Sequence, residues 1–270
     1  MQCIGSVQEH SNFAVSRKRF VVVLGALVCA YLASPTAVAH AYLLKTTKTG
    51  ARVRWSDGTV TMRIDPKLEQ AMGKDEVRAA LSMATDAWRG LPGVPRITLS
   101  DEAAPGYRLA ERTNGIYLMN PWPFPKEQLA VTVSTYASNG RMIGADILVN
   151  GETDYALLAE GPDQSGMHQH DLGAVLTHEM GHVLGLDESP DDESATMWPY
   201  IRAGEVHQRT LADDDEQGVI EAYAGSAPAD AAGCGQASVV GAKNAAQPVA
   251  AYGWLLAVAG LVLVRRRRAR

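Results

Sequence analysis

Two histidines and two glutamates fall within one short stretch, His178 to Glu188, which reads H-E-M-G-H-V-L-G-L-D-E. His178 and His182 are four residues apart, and on a helix that spacing sets them on one face a single turn apart. Two imidazoles so placed can share one metal ion. Zinc suits neutral imidazole, and a site with three protein ligands leaves a fourth position open for water. Glu179 follows the first histidine directly, so its carboxylate can reach that water without competing for the metal and can act as general base. This is the chemistry of peptide hydrolysis. The expected third ligand is Glu188, with Asp187 beside it as the next choice, because two histidines and a glutamate make a catalytic zinc set. A carboxylate ligand lowers the positive charge of the site. The bound water is then expected to be less acidic than over three histidines, and activity to need a higher pH.

A bare H-E-x-x-H also arises by chance in unrelated helices, so its surroundings decide. Gly185 tolerates the left-handed conformation that ends a helix, and the turn it permits brings position 188 back toward the metal. Fifteen residues past His182, the run S-A-T-M-W-P-Y places Met197 ahead of Pro199 and Tyr200. With these extensions the chain resembles the metzincin metalloproteases and, among them, the matrixin family, whose signature is H-E-x-x-H-x-x-G-x-x-H with a later Met-turn. The resemblance implies a bound Zn2+, a Met197 that forms an apolar floor beneath it, and a pocket wall at Pro199 and Tyr200 for the substrate residue after the cleaved bond. It also allows structural Ca2+, although no D-x-[DN]-x-[DN]-G loop is present. The chain departs from the family at the last signature position, where Glu188 replaces histidine. A second departure is that no cysteine lies between Cys29 and Cys234, whereas matrixins are usually held inactive by a propeptide cysteine.

The elements that must position this site are legible as periodicities. Val60, Met62 and Ile64 alternate with polar residues as in a half-buried strand, and R-V-R-W-S-D-G before it reads as an edge segment closing in a turn at Asp57 and Gly58. Residues 75–89 carry Val77, Leu81, Ala84 and Trp88 at helical spacing, with Gly90 and Pro92 as the stop. Strands are expected at 96–99 and 115–120, then a rigid aromatic loop, Pro121 to Phe124. Residues 129–136 and 143–149 suit a hairpin turned at Asn139 and Gly140. The stretch A-D-I-L-V-N, 145–150, resembles the matrixin strand that borders the active-site cleft, which implies that Ala145 and Ile147 pair with an extended substrate by strand addition. Asp171 is placed to cap the helix of the two metal histidines. His168 and His170 before it offer a second metal site against the commoner reading of exposed loop histidines, and His207 is a weaker ligand. Residues 213–223 begin acidic and carry an apolar face, as the closing helix of the family does. The implied fold is α+β and matrixin-like: a twisted, mostly parallel sheet with an antiparallel edge strand, packed on three helices.

The ends of the chain concern location. Arg17 to Arg19, the apolar run 20–32 and S-P-T-A-V-A-H-A read as a secretory signal peptide over 1–41. The domain is expected over 42–225 and an Ala-rich linker with Cys234 over 226–247. The seventeen apolar residues 248–264 suit a transmembrane segment, and the arginines that follow suit a basic cytoplasmic tail over 265–270. Together Cys234, the apolar run and the basic end resemble bacterial MYXO-CTERM sorting tags. That implies display at the cell surface or envelope, with processing near Cys234; a plain single-span anchor is the alternative. The exported stretch 42–233 holds 16 Lys plus Arg against 29 Asp plus Glu, a formal charge of about −13 that argues against a nucleic-acid partner. About 190 residues suffice for one core without disulfides. The expected function is a zinc endopeptidase acting on extracellular proteins or peptides. Its competitors are a zinc-binding surface module of the same fold without turnover, and a zinc hydrolase of small amides or esters.

Overall fold

The computed structural model of the chain describes residues 41–56, 58–109, 113–160, 168–225, 236–241 and 243–244. Apart from Ala41, the expected signal peptide lies outside the described residues, as do Cys234, the apolar run 248–264 and the basic tail. Among the described residues no helix is long and apolar enough to cross a membrane.

The chain forms β1 (Thr59–Ile64), α1 (Pro66–Met72), α2 (Lys74–Ala87), β2 (Arg96–Ala103), β3 (Gly115–Met119), β4 (Ala130–Tyr136) and β5 (Met142–Asn150). Two short strands follow, β6 (Tyr155–Ala156) and β7 (His170–Asp171), and then the helix α3 (Leu172–Val183) that carries the metal motif. β8 (Tyr200–Ile201), α4 (Asp213–Tyr223), β9 (Gln236–Val240) and β10 (Lys243–Asn244) complete the order. The main sheet runs β2-β1-β3-β5-β4-β9. Its first three ladders are parallel, β4 is antiparallel to β5, and β9 is antiparallel to β4. This is the expected α+β architecture, with two additions. The short helix α1 precedes α2, started by Asp65, whose carboxylate accepts the Lys67 N–H at 3.0 Å, and by Pro66 at its first position. β9 and β10 lie in the stretch read as a linker, where the β-branched pair Val239 and Val240 falls on the strand that pairs with the outer side of β4.

One face of the sheet buries its apolar side chains against α2 and α3, with Met62, Leu81, Ile116, Ile147, Leu176 and Met180 fully enclosed. On the other face Tyr117, Val131, Val133 and Leu148 form a smaller cluster with Trp122, and Phe124 packs against it. The aromatic loop after β3 thus covers the outer face of the sheet. In the segment around Val53, Val53 and Trp55 are buried, and Arg54 bridges Arg141 in parallel, its backbone exchanging hydrogen bonds with Gly140 (2.9 Å) and Met142 (2.7 Å). Two indoles hold α3 from either side. Trp88 Nε1 donates to the Thr177 carbonyl (2.9 Å) and Trp55 Nε1 to the Val183 carbonyl (2.8 Å).

α3 ends in a Schellman motif. Gly185, at φ +95°, donates its N–H to the His182 carbonyl (3.1 Å) and Leu186 donates to Gly181 (3.0 Å). The space also demands glycine, since a Cβ here would lie 2.2 Å from the Val53 carbonyl oxygen. Gly185→Ala combines a left-handed backbone with that collision. It should destabilise the domain by about 2 kcal/mol or more, read as a lower denaturation midpoint.

Candidate metal centre

Every residue of α3 is buried, and His178, Glu179 and His182 are fully enclosed. Asp171 caps the helix as expected, accepting the Ala174 N–H at 2.6 Å, and Arg209 pairs with the same carboxylate through Nε at 2.8 Å. This fixes the start of a helix whose last turn carries the chemistry.

The two imidazoles stand edge to face with ring centres 4.8 Å apart. His178 Nδ1 lies 2.7 Å from the Thr196 carbonyl and His182 Nδ1 lies 3.0 Å from the Leu186 carbonyl. A carbonyl can only accept, so Nδ1 carries the proton on both rings and each Nε2 presents a lone pair. That is the tautomer of a metal ligand held by its backbone partner. Glu188 closes the set, its Oε2 3.5 Å from His178 Nε2, and the ligand atoms of His178, His182 and Glu188 all lie within 4.8 Å of one another. Two atoms each about 2.0 Å from a tetrahedral zinc stand about 3.3 Å apart, so a site of this composition and spread fits the ion. Asp187 does not join the group; its Oδ1 accepts the Glu188 N–H at 3.0 Å.

The turn after α3 is strapped from outside. Lys45 donates its N–H to the Gly185 carbonyl (3.0 Å), and Asp187 donates to the Leu43 carbonyl (2.8 Å). This brings the Lys45 side chain behind the site. It is buried, its ammonium donates to Ser134 Oγ at 3.2 Å, and burial pulls its pKa down to about 8 against the opposing pull of the Asp187, Glu179 and Glu188 carboxylates. The Glu179 carboxylate is held by Thr132 of β4, whose hydroxyl donates to Oε2 at 2.6 Å.

Met197 is buried beneath the helix. A Cβ on Gly181 would come within 2.2 Å of its sulfur, so the glycine between the two histidines leaves the room that the thioether fills. Asp215 fixes the Met197 turn by accepting the N–H groups of Thr196 (2.7 Å) and Met197 (3.0 Å). Burial raises the Asp215 pKa, with those backbone donors working against it. Pro199 is buried and Tyr200 half-buried, its ring 5.7 Å from Trp198.

The expected roles of Ala145 and Ile147 need correction. β5 has β3 on one side and β4 on the other, so its backbone is already paired, and both side chains are buried. The strand on the metal side of the sheet is β4, which supplies Thr132 and Ser134. Among the described residues no other group of three His, Cys, Asp or Glu converges as a ligand set. His168 and His207 are exposed, while His170 is buried in β7 with its pKa lowered by that burial. Thr132, Lys45 and Asp215 went unseen in the sequence because each acts across eighteen positions of chain or more, with no local pattern to mark it.

Comparison with known proteins agrees with this geometry. Residues 119–224 match the peptidase family described as matrixin. Matrix metalloproteinase-16 of Homo sapiens is 26% identical over 177 residues, which are 63% of this chain and 27% of that protein. Matrix metalloproteinase-20 of Homo sapiens is 27% identical over 172 residues, 63% of this chain and 32% of the relative. Metalloendoproteinase 5-MMP of Arabidopsis thaliana reaches 41% over 63 residues, 23% of this chain and 17% of its own length. The match thus spans about a third or less of each relative. The stretch that resembles the matrixin family, 119–224, holds the histidine pair on α3, the glycine turn and the buried methionine beneath it.

Proposed function

We propose that the chain is a zinc endopeptidase, exported and held at the cell surface or envelope by its C-terminal segment, which hydrolyses peptide bonds of extracellular proteins. The observation that carries this reading is the pairing of a three-residue ligand group with an adjacent carboxylate, Glu179, that Thr132 holds in place without drawing it into the group. A module that only bound metal would have no use for that carboxylate.

His178, His182 and Glu188 would hold the ion. Bound zinc supplies a Lewis acid that polarises the scissile carbonyl and acidifies water. Glu179 takes a proton from the attacking water and returns it to the leaving amine. Thr132 limits the Glu179 carboxylate to one orientation. Met197 and Gly181 keep the floor of the site apolar, and Pro199 and Tyr200 suit the pocket wall. Lys45 places a cation among three carboxylates and so offsets the charge that a glutamate ligand adds.

Three results test this account in the zinc-loaded full chain with a quenched-fluorescence peptide. Glu179→Gln should lower cleavage by about 10²- to 10⁴-fold and leave one zinc per chain, because base and ligand are different residues. Full zinc without cleavage in the unaltered protein would favour the binding module. Glu188→Ala should weaken zinc by roughly 100-fold or more in a chelator competition, and Glu188→His should recover much of the loss; unchanged affinity in Glu188→Ala would move the third ligand elsewhere. A nearby cation favours the ionised carboxylate, so Lys45→Met should raise the pKa of the general base and shift the acid limb of the pH-rate profile to higher pH. An unmoved limb would remove Lys45 from the electrostatics of the site.

A further inference from the structure

The sheet does not stop at β4. β9 runs along its outer side in antiparallel register, Val240 opposite Thr132 and Gln236 opposite Tyr136. Three residues after Val240, β10 pairs with β8 in parallel, Lys243 opposite Tyr200 and Asn244 opposite Ile201. One short run of chain therefore pairs with two different strands in two different senses. Both partners border the metal group. Thr132 donates to Glu179 and Ser134 accepts from Lys45, while β8 follows the Met197 turn whose Thr196 carbonyl orients His178. Gly241 marks the closest approach. A Cβ there would lie 2.2 Å from the Ala130 carbonyl oxygen and 2.4 Å from Val131 Cα, so only glycine brings the chain this near β4.

We propose that β9 and β10, residues 236–240 and 243–244, occupy the peptide-binding edge of the site, so that the chain competes with its own substrate. Competition with a substrate rests on the peptidase reading above; occupancy of the edge does not. Strand addition supplies the affinity through main-chain hydrogen bonds and needs little from side chains. Ten residues separate Gly225 from Gln236, so docking is intramolecular and proceeds at an effective concentration that a free peptide of the same sequence lacks. A segment that would bind weakly as a free peptide is thereby docked most of the time.

The test uses the zinc-loaded full chain with Gly241→Val, which collides with β4, and with Ser238→Pro and Val239→Pro. Successive N–H groups of a strand point to opposite sides, so one of these two prolines must remove a donor facing β4. The readouts are amide hydrogen exchange and the kinetics of an added fluorogenic peptide. Docking predicts protection of the alternate amides of 236–240 that face β4 in the unaltered chain, lost in Gly241→Val and in one proline variant. It predicts a KM lower by roughly tenfold in those variants with kcat unchanged, as expected when a competitor present at ten times its own Kd is removed. A strand that merely completes the sheet would instead lower stability or kcat and leave KM in place, which would overturn the proposal. So would unprotected amides at 236–240 in the unaltered chain. If protection responds as stated while no form of the protein cleaves peptide, the docked strand stands and the peptidase reading falls.

Discussion

Two histidines on one face of a helix can supply only two ligands, and the third must come from chain that has already left the helix. The whole centre therefore depends on how α3 ends. Gly185 allows the reversal, and the reversal is clamped by the Schellman bonds within the chain and by residues 43–45 and Val53 from outside. The carbonyl of Leu186, two residues before Glu188, is also the oxygen that sets the tautomer of His182. One turn thus positions both Glu188, which it carries, and His182, which it follows, the two proposed ligands nearest the helix end.

The second requirement is charge. Glu179 is fully enclosed and Glu188 is largely so, and burying carboxylates without compensation is costly. Lys45 gives the site a cation of its own from a segment more than 130 residues away in sequence. With a divalent ion in the centre, Lys45 and the metal together match the three carboxylates Glu179, Glu188 and Asp187. In the proposed ligand set Glu188 would add one negative charge relative to histidine. The buried lysine would return one positive charge and so oppose the pH consequence expected from the glutamate alone.

Most of what lay in local pattern was legible in the sequence. The helix of the motif, the glycine stop, the closing helix 213–223 and the hairpin of β4 and β5 follow from spacing of three to four residues, from alternation, or from a turn pair such as Asn139 and Gly140. What escaped was long-range. Nothing local distinguishes Lys45 from Lys48 three residues on, yet one is buried and the other exposed. Thr132 looks like any strand threonine until β4 is laid against α3. The reading of Ala145 and Ile147 as substrate-pairing residues missed for the same reason, because strand order in a sheet is a tertiary property: β5 and β4 carry similar sequence signals, and only the ladder shows β5 enclosed by β3 and β4 while β4 takes β9 on its outer side. The strand at 236–240 was hidden by Ala-rich surroundings that carry no periodicity, although its own β-branched pair suits an edge.

The central claim is the ligand set. A crystal structure of the zinc-loaded protein, with anomalous differences recorded at the zinc absorption edge, would locate the ion directly. The account predicts a single site bonded to Nε2 of His178, Nε2 of His182 and the carboxylate of Glu188, with Glu179 outside the coordination sphere. Zinc held by the two histidines with Glu188 turned away, or Glu179 bound as a ligand, would contradict it.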